Sequence, residues 1–337
     1  MSSVKSIEPV GPVPTSSERS VGLPESERAK PLAKPLFLAK PLLKWAGGKT
    51  QLLSSIDTYF PPQLKEGRIS RYIEPFVGGG AVFLHVAQHY NVSEIVLYDL
   101  NPELASIYKV VRTDVDALIE CLSQLQSDYL RLDTGDRKDY FYQQRERHNA
   151  ARVAIDWHAY SAAWVERAAT LLFLNRTCFN GLFRVNSKGD FNVPHGRYVK
   201  PRICDAENLR AVSHFLQRAK IYCGDFTDCR DLVDSNTFVY FDPPYRPLSK
   251  TANFTAYSTQ AFSDREQQRL CEYYSDLHQV GARLMLSNSD PHNIDAEDDF
   301  FDCLYADFRI ERVRASRSIN SDATKRGQIN ELLILNY

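Results

Sequence analysis

The chain has 337 residues, of which 43% are hydrophobic and 25% charged, and a formal net charge of −1. Those proportions are ordinary for a globular protein, and no apolar run approaches the roughly eighteen residues that a membrane-spanning helix needs. The balanced charge excludes bulk attraction to nucleic acid, so any such binding has to come from a local basic patch. The seven cysteines (121, 178, 204, 223, 229, 271 and 303) form no C-x-x-C pair and no Cys/His cluster. That points to reduced thiols and argues against a zinc site.

Residues 1–36 are rich in Ser, Pro, Glu and Lys and contain no aromatic residue. Such a segment cannot build a core and is read as a disordered extension, dispensable for chemistry. It has no apolar signal region, and Glu8, Glu18, Glu25 and Glu27 oppose an organellar transit peptide, which with the unpaired-looking cysteines suggests a cytosolic protein. The tetrapeptide AKPL, at 29–32, 33–36 and 39–42, reads as a small local duplication.

From Phe37 onward, short apolar runs alternate with amphipathic stretches. The expected strands are 71–76, 94–99, 219–224, 237–242, 282–288, 308–315 and 330–337, with helical patterns such as 81–90 and 263–280 between them. This alternation predicts a doubly wound, mostly parallel α/β sheet. The last two strands have only a polar loop between them and form an antiparallel edge hairpin. Residues 105–218 break the rhythm with long helical patterns (105–126 and 157–175) and then a Gly/Asn-rich stretch. They are read as an inserted, mainly helical module. Residues 37–104 and 219–337 then form the second, discontinuous domain.

Four stretches carry chemistry. In IEPFVGGGAVFL (73–84) a strand ends in three glycines and passes into a helix. This is either a tight turn or a bare backbone that lets a ligand approach, with Gly78 and Gly80 the close-contact positions. Phe83 stands where a dinucleotide-binding pattern has its third glycine. Asp99 ends the next strand, 21 residues after Gly78, placed to accept both hydroxyls of a ribose. The GGKT of LKWAGGKTQLL (43–53) is no P-loop, because Leu43 occupies the first glycine position. Trp45 and Lys49 there offer an aromatic face and a cation. In TFVYFDPPY (237–245) two prolines stop a buried strand and leave Asp242 and Tyr245 at its tip. A carboxylate and the rigid Pro243 carbonyl can accept the two amino hydrogens of adenine and polarise a weakly nucleophilic nitrogen. Tyr245 offers a face for the base to stack on. A duplex base reaches such a pocket only when flipped out of the stack.

In content and order, KWAGGK, EPFVGGG, YDLNPEL, GDF and DPPY resemble the Dam-like, alpha-group DNA adenine N6-methyltransferases, from about Lys40 to Tyr337. That family includes the methylases of GATC-recognising restriction systems. The resemblance implies a Rossmann-like methyltransferase fold, S-adenosylmethionine as methyl donor, no metal, and double-stranded DNA as partner. It also admits a separately acting restriction endonuclease. Trp45, Lys49, Asp99 and Asp242 match cofactor-contacting positions, Phe76 lines the same pocket, and Asp225 holds the cofactor's adenine.

Within the insert, residues 173–202 hold six basic residues against one acid, interleaved with aromatic residues and with turn signals at NG and KGD. Such a stretch suits a hairpin lying on duplex DNA. By the resemblance Arg184 reads a base and Phe179 inserts near the target adenine. Asn180, Leu182, Pro194 and Arg197 fall at neighbouring contacts. Lys200 is expected to meet a phosphate, as is the basic loop 312–327.

Rival chemistries fit less well. Cytosine C5 methylation needs a nucleophilic cysteine, usually after proline, and the chain has no Pro-Cys pair. Cytosine N4 and glutamine N5 enzymes carry Ser or Asn more often where Asp242 stands. An RNA substrate or another recognition site is the nearest alternative. A non-catalytic nucleic-acid-binding protein is the alternative from a different class.

Overall fold

The computed structural model describes residues 38–45, 47–246, 262–316 and 328–337. The expectations for residues 1–36 and for 317–327 of the basic loop lie outside them. Seven strands form one sheet: β1 Arg71–Glu74, β2 Glu94–Asp99, β3 Ala219–Cys223, β4 Thr237–Phe241, β5 Arg283–Ser289, β6 Arg309–Ser316 and β7 Gln328–Leu335. Their order is β3-β2-β1-β4-β5-β7-β6. The first five pair in parallel, and β7 runs antiparallel to both β5 and β6. The mostly parallel sheet and the antiparallel hairpin at its edge are as the sequence indicates.

The parallel strands form where they do because both of their faces are covered, so each is a nearly unbroken apolar run. Every residue of β4 is buried. Alternate side chains enter opposite layers, as strand geometry requires. Tyr72, Ile95, Leu97, Phe238 and Tyr240 join the core that holds the helices Ala81–His89, Pro102–Thr113 and Ala206–Leu216. Ile73, Val96, Val239 and Phe241 pack on the other face with Leu270, Tyr274 and Leu277 of the helix Asp264–Gln279. Tyr274 also donates its hydroxyl to the carbonyls of Leu284 and Ile334, 3.1 Å from each.

Three local readings change. The helical pattern 105–126 is two helices, Pro102–Thr113 and Val115–Arg131, broken at Asp114 with φ −132 and ψ 46. A further helix, Thr134–Ala151, has no apolar stripe to announce it. Its buried positions are Phe141, Gln144 and His148, and Asp133 caps it by accepting from the Gly135 and Asp136 amides. The hairpin of the basic stretch is held by isolated antiparallel bridges, Cys178 with His195 and Val185 with Phe191, and not by regular strands. Residues 173–177 belong to the preceding helix, Ala162–Thr177. The third AKPL copy is part of the core: Ala39 and Leu42 are buried, and the Lys40 amide donates to Asn208 Oδ1 at 2.7 Å. All seven cysteines are unpaired.

The helix Ala162–Thr177 is tied to the helix after β2 by a buried ion pair. Arg167 Nε donates to both Glu103 carboxylate oxygens at 3.0 and 2.9 Å, and its Nη1 donates to the His148 carbonyl at 2.9 Å. Removing one partner of such a pair strands a buried charge. Arg167→Leu should therefore cost about 3–5 kcal/mol in urea unfolding, and Arg167→Leu with Glu103→Leu should recover much of that loss. A single variant as stable as wild type would show that the pair does not hold the two helices together.

Candidate active site

Strands β1 and β4 lie side by side, yet their chains leave towards opposite faces of the sheet, into the helices Ala81–His89 and Asp264–Gln279. This divergence opens a crevice beyond the carboxyl ends of the strands, where α/β sheets bind ligands. The glycine stretch follows β1, Asp99 ends β2, Asp225 follows β3, and Asp242 follows β4. All four sit on this one edge of the sheet.

Asp242 lies at the centre of a polar cluster. Its Oδ1 accepts from Lys49 Nζ at 2.6 Å and from Ser287 Oγ at 3.0 Å. Ser287 Oγ is 2.9 Å from the Tyr240 hydroxyl beneath it. Lys49, only 2% exposed, also donates to the Gly47 carbonyl at 2.9 Å and lies 4.7 Å above the centre of the Tyr245 ring. The Tyr245 hydroxyl donates to Glu331 Oε2 at 2.8 Å, and the same oxygen is 4.0 Å from Lys49 Nζ. Gln267 Nε2 holds the Pro244 carbonyl at 3.3 Å, which fixes the double-proline turn from below. Behind the cluster, Glu74 is buried and accepts from the Tyr72 hydroxyl at 2.6 Å. Burial, reinforced by the charge of Asp242, pushes Glu74 well above the usual carboxylate range.

The glycine stretch joins this cluster to Asp99. The Gly78 amide donates to Asp99 Oδ2 at 3.0 Å and the Asn101 amide to Oδ1 at 2.9 Å. Burial pushes Asp99 up to about 6, and the two amides only partly offset it. A carboxylate has about four lone-pair positions, so two acceptor positions remain for a ligand. Gly78 has φ +46, and a Cβ there would lie 2.9 Å from Trp45 Cδ1. Gly80 has φ +73, and a Cβ there would lie 2.6 Å from the Tyr108 hydroxyl. Both glycines are thus required by conformation and by space. Phe76 packs on Phe226, the residue after Asp225, with ring centres 5.4 Å apart and planes tilted by 30°. Asp225 accepts from the Thr227 amide and is gripped by Arg269, whose guanidinium also lies 4.4 Å over the Phe226 ring. Burial alone would raise the Asp225 pKa, but Arg269 and Thr227 outweigh it and hold the group below the usual carboxylate range. The glycine-lined backbone, the open acceptor positions of Asp99 and the aromatic rings beside Asp225 fit an adenosine-bearing cofactor.

The basic hairpin is anchored to the same loops. Trp45 stacks on Phe183 at 5.1 Å, and Lys44 lies 5.2 Å over Tyr198. Asn180 has φ 57 and Gly181 φ +65, which turns Phe179 outward, where it is 53% exposed. Asn180, Arg184, Pro194, Arg197 and Lys200 are exposed as well, whereas Leu182 is half-buried against the core. Arg184 is steadied by Asn192, whose Oδ1 accepts from Nε at 2.7 Å. The structure thus brings Trp45, Gly78 and Asp99 together, and joins Lys49, Asp242 and Tyr245 in one cluster. It sets the hairpin residues on a separate exposed surface joined to the first group through Trp45. Sequence reasoning missed Ser287, Gln267, Glu331 and Arg269. They come from β5, β7 and the helix between β4 and β5, and no local motif marks them.

The sequence profile of the D12 class N6 adenine-specific DNA methyltransferases matches residues 45–319. The chain is 50% identical over 299 residues to the "Type II methyltransferase M.MjaIII" of Methanocaldococcus jannaschii, covering 88% of this chain and 99% of that protein. It is 34% identical over 303 residues to the "DNA adenine methylase" of Haemophilus influenzae, covering 90% and 95%. To the "DNA adenine methylase" of Escherichia coli K12 it is 35% identical over 296 residues, covering 87% and 94%. With the strand-tip cluster and the glycine–Asp99 arrangement, these matches establish that the chain belongs to the D12 class of N6 adenine-specific DNA methyltransferases.

Proposed function

We propose that the chain methylates N6 of an adenine flipped out of duplex DNA, within the sequence GATC. The observation that carries the chemistry is Asp242, which follows a fully buried strand and is held by Ser287 and by Lys49, whose ammonium lies over the ring of Tyr245. S-adenosylmethionine, when bound, supplies an activated methyl group. Asp99 would accept from its ribose hydroxyls, Gly78 and Gly80 would let it approach the backbone closely, Trp45, Lys49 and Phe76 would line its pocket, and Asp225 would hold its adenine.

The target amino group donates one hydrogen to Asp242 and the other to the Pro243 carbonyl. Asp242 Oδ1 already accepts from Lys49 and Ser287, so the amino group takes an acceptor position on Oδ2. The Tyr245 ring stacks on the base and fixes its plane. The carboxylate then stabilises the positive charge that develops on N6 during transfer, which needs no covalent intermediate. Residues 105–218 supply recognition, with Arg184 paired to guanine O6 and N7, Phe179 beside the vacated base, and Lys200 and Arg197 on phosphates. The GATC assignment rests on the likeness of FNGLFRVN to GATC-reading members of the family. The exposure of Arg184 and its bond to Asn192 support its role as a reader.

Asp242→Ala should lower the single-turnover rate by at least about 10²-fold, with cofactor affinity less affected. A near-normal rate would remove Asp242 from the chemistry. Ribose hydroxyls donate to the ionised acid, so binding should favour the charged form of Asp99. The cofactor Kd should accordingly be flat above neutrality and rise as pH falls through about 6. Asp99→Asn should flatten that dependence, and an equal Kd at acidic and neutral pH in wild type would exclude the ribose role. Arg184→Ala should cost about 1–3 kcal/mol of discrimination at one base pair, whereas Lys200→Ala should weaken binding evenly and reduce its salt dependence. Base-resolved methylation of a duplex library separates the two. Methylated adenines lying mainly outside GATC would refute the site.

A further inference from the structure

The geometry points to Glu331 as a positioning residue for methyl transfer: it fixes the base-stacking ring of Tyr245. The inference rests on the roles given above to Asp242 and Tyr245, and adds a residue that no sequence motif marks.

Glu331 stands on β7, opposite Ser289 of β5 and Val313 of β6, so it reaches the DPPY turn from the antiparallel part of the sheet. Its side chain is 14% exposed, and Oε2 accepts from the Tyr245 hydroxyl at 2.8 Å. A stacking ring without such an anchor can tilt and rotate about its Cα–Cβ bond. With the hydroxyl tethered to a sheet strand, the plane offered to the base is set before the base arrives, and no ordering remains to be done in the complex. Burial pushes the Tyr245 phenol well above its ordinary range, with the charges of Asp242 and Glu331 adding to it, so the hydroxyl stays a donor.

The ring is also fixed from its face. Lys49 is 2% exposed and lies 4.7 Å over the Tyr245 ring, and its Nζ is 4.0 Å from the Glu331 oxygen that accepts the phenol. Glu331 therefore holds the hydroxyl at the edge of the ring while the ammonium beside it lies on the face, so both act on one ring.

The test is single-turnover methylation of duplex DNA with the cofactor Kd measured alongside, for wild type, Glu331→Ala, Glu331→Gln, Tyr245→Phe and Tyr245→Phe with Glu331→Ala. Glu331→Ala should slow transfer by about 10- to 100-fold while the cofactor Kd stays near that of wild type. Glu331→Gln keeps an acceptor for the phenol but loses the charge, and should fall between wild type and Ala. The double variant should lose less than the product of the two single losses, because both act on one contact. A wild-type rate in Glu331→Ala, or single losses that simply multiply, would overturn the role. If Glu331→Ala does not fold, the same cycle is run with Glu331→Gln. Asp242→Ala in the same assay keeps the two readings apart. An inert Asp242→Ala beside an unaffected Glu331→Ala refutes this inference alone, whereas an active Asp242→Ala refutes the site on which it rests.

Discussion

The constraint on which the rest depends is the pairing of β1 with β4. Ile73 lies beside Val239 in parallel register, so the two chains leave the sheet at the same edge and then part to opposite faces. The sequence at each exit is what a crevice demands. Three glycines after β1 let the backbone turn sharply beneath Trp45, and two prolines after β4 end the ladder without an amide to satisfy. Lys49 closes the gap between the exits by reaching Asp242 from the segment before β1. Without the switch in strand order, the glycine turn and the DPPY turn would lie on different parts of the molecule.

That cluster also explains the burial pattern around it. Lys49, Glu74, Ser287, Asn288 and Asp290 are among the most buried polar residues, and they gather near the ends of β1, β4 and β5. Polar groups placed there cost stability unless each finds a partner. Here Tyr72 serves Glu74, and Tyr240 with Ser287 serves Asp242. Arg312 reaches Asp290 at 3.2 Å. The tyrosines are core residues by volume and donors by chemistry, so the apolar layer itself supports the charged one.

The strands were legible because a buried parallel strand leaves a plain signature: a short β-branched and aromatic run bounded by Gly, Pro or Asp. The helix Thr134–Ala151 was not, because two of its three buried positions are Gln144 and His148. Their burial is decided by packing in the fold and not by hydrophobicity. Motif residues such as Asp99 and Lys49 could be read in order along the chain, and each touches a residue of another motif, Gly78 and Asp242. Glu331 could not, since its approach to Tyr245 depends on the register of β7 against β5, 86 residues away in the chain. Arg269 was hidden in the same way: it looks like one more charge on an amphipathic helix until the fold sets it against Asp225.

The account turns on one contact, a base amino group received at the strand-tip carboxylate. In this structure Lys49 Nζ holds Asp242 Oδ1 at 2.6 Å, and Ser287 holds the same oxygen. The most direct measurement is a crystal of the protein with duplex DNA and an unreactive analogue of the methyl donor. The account predicts a flipped adenine whose amino group donates to Asp242 and to the Pro243 carbonyl, with its ring on Tyr245. A complex in which the flipped base lies away from Asp242 and Tyr245 would contradict it.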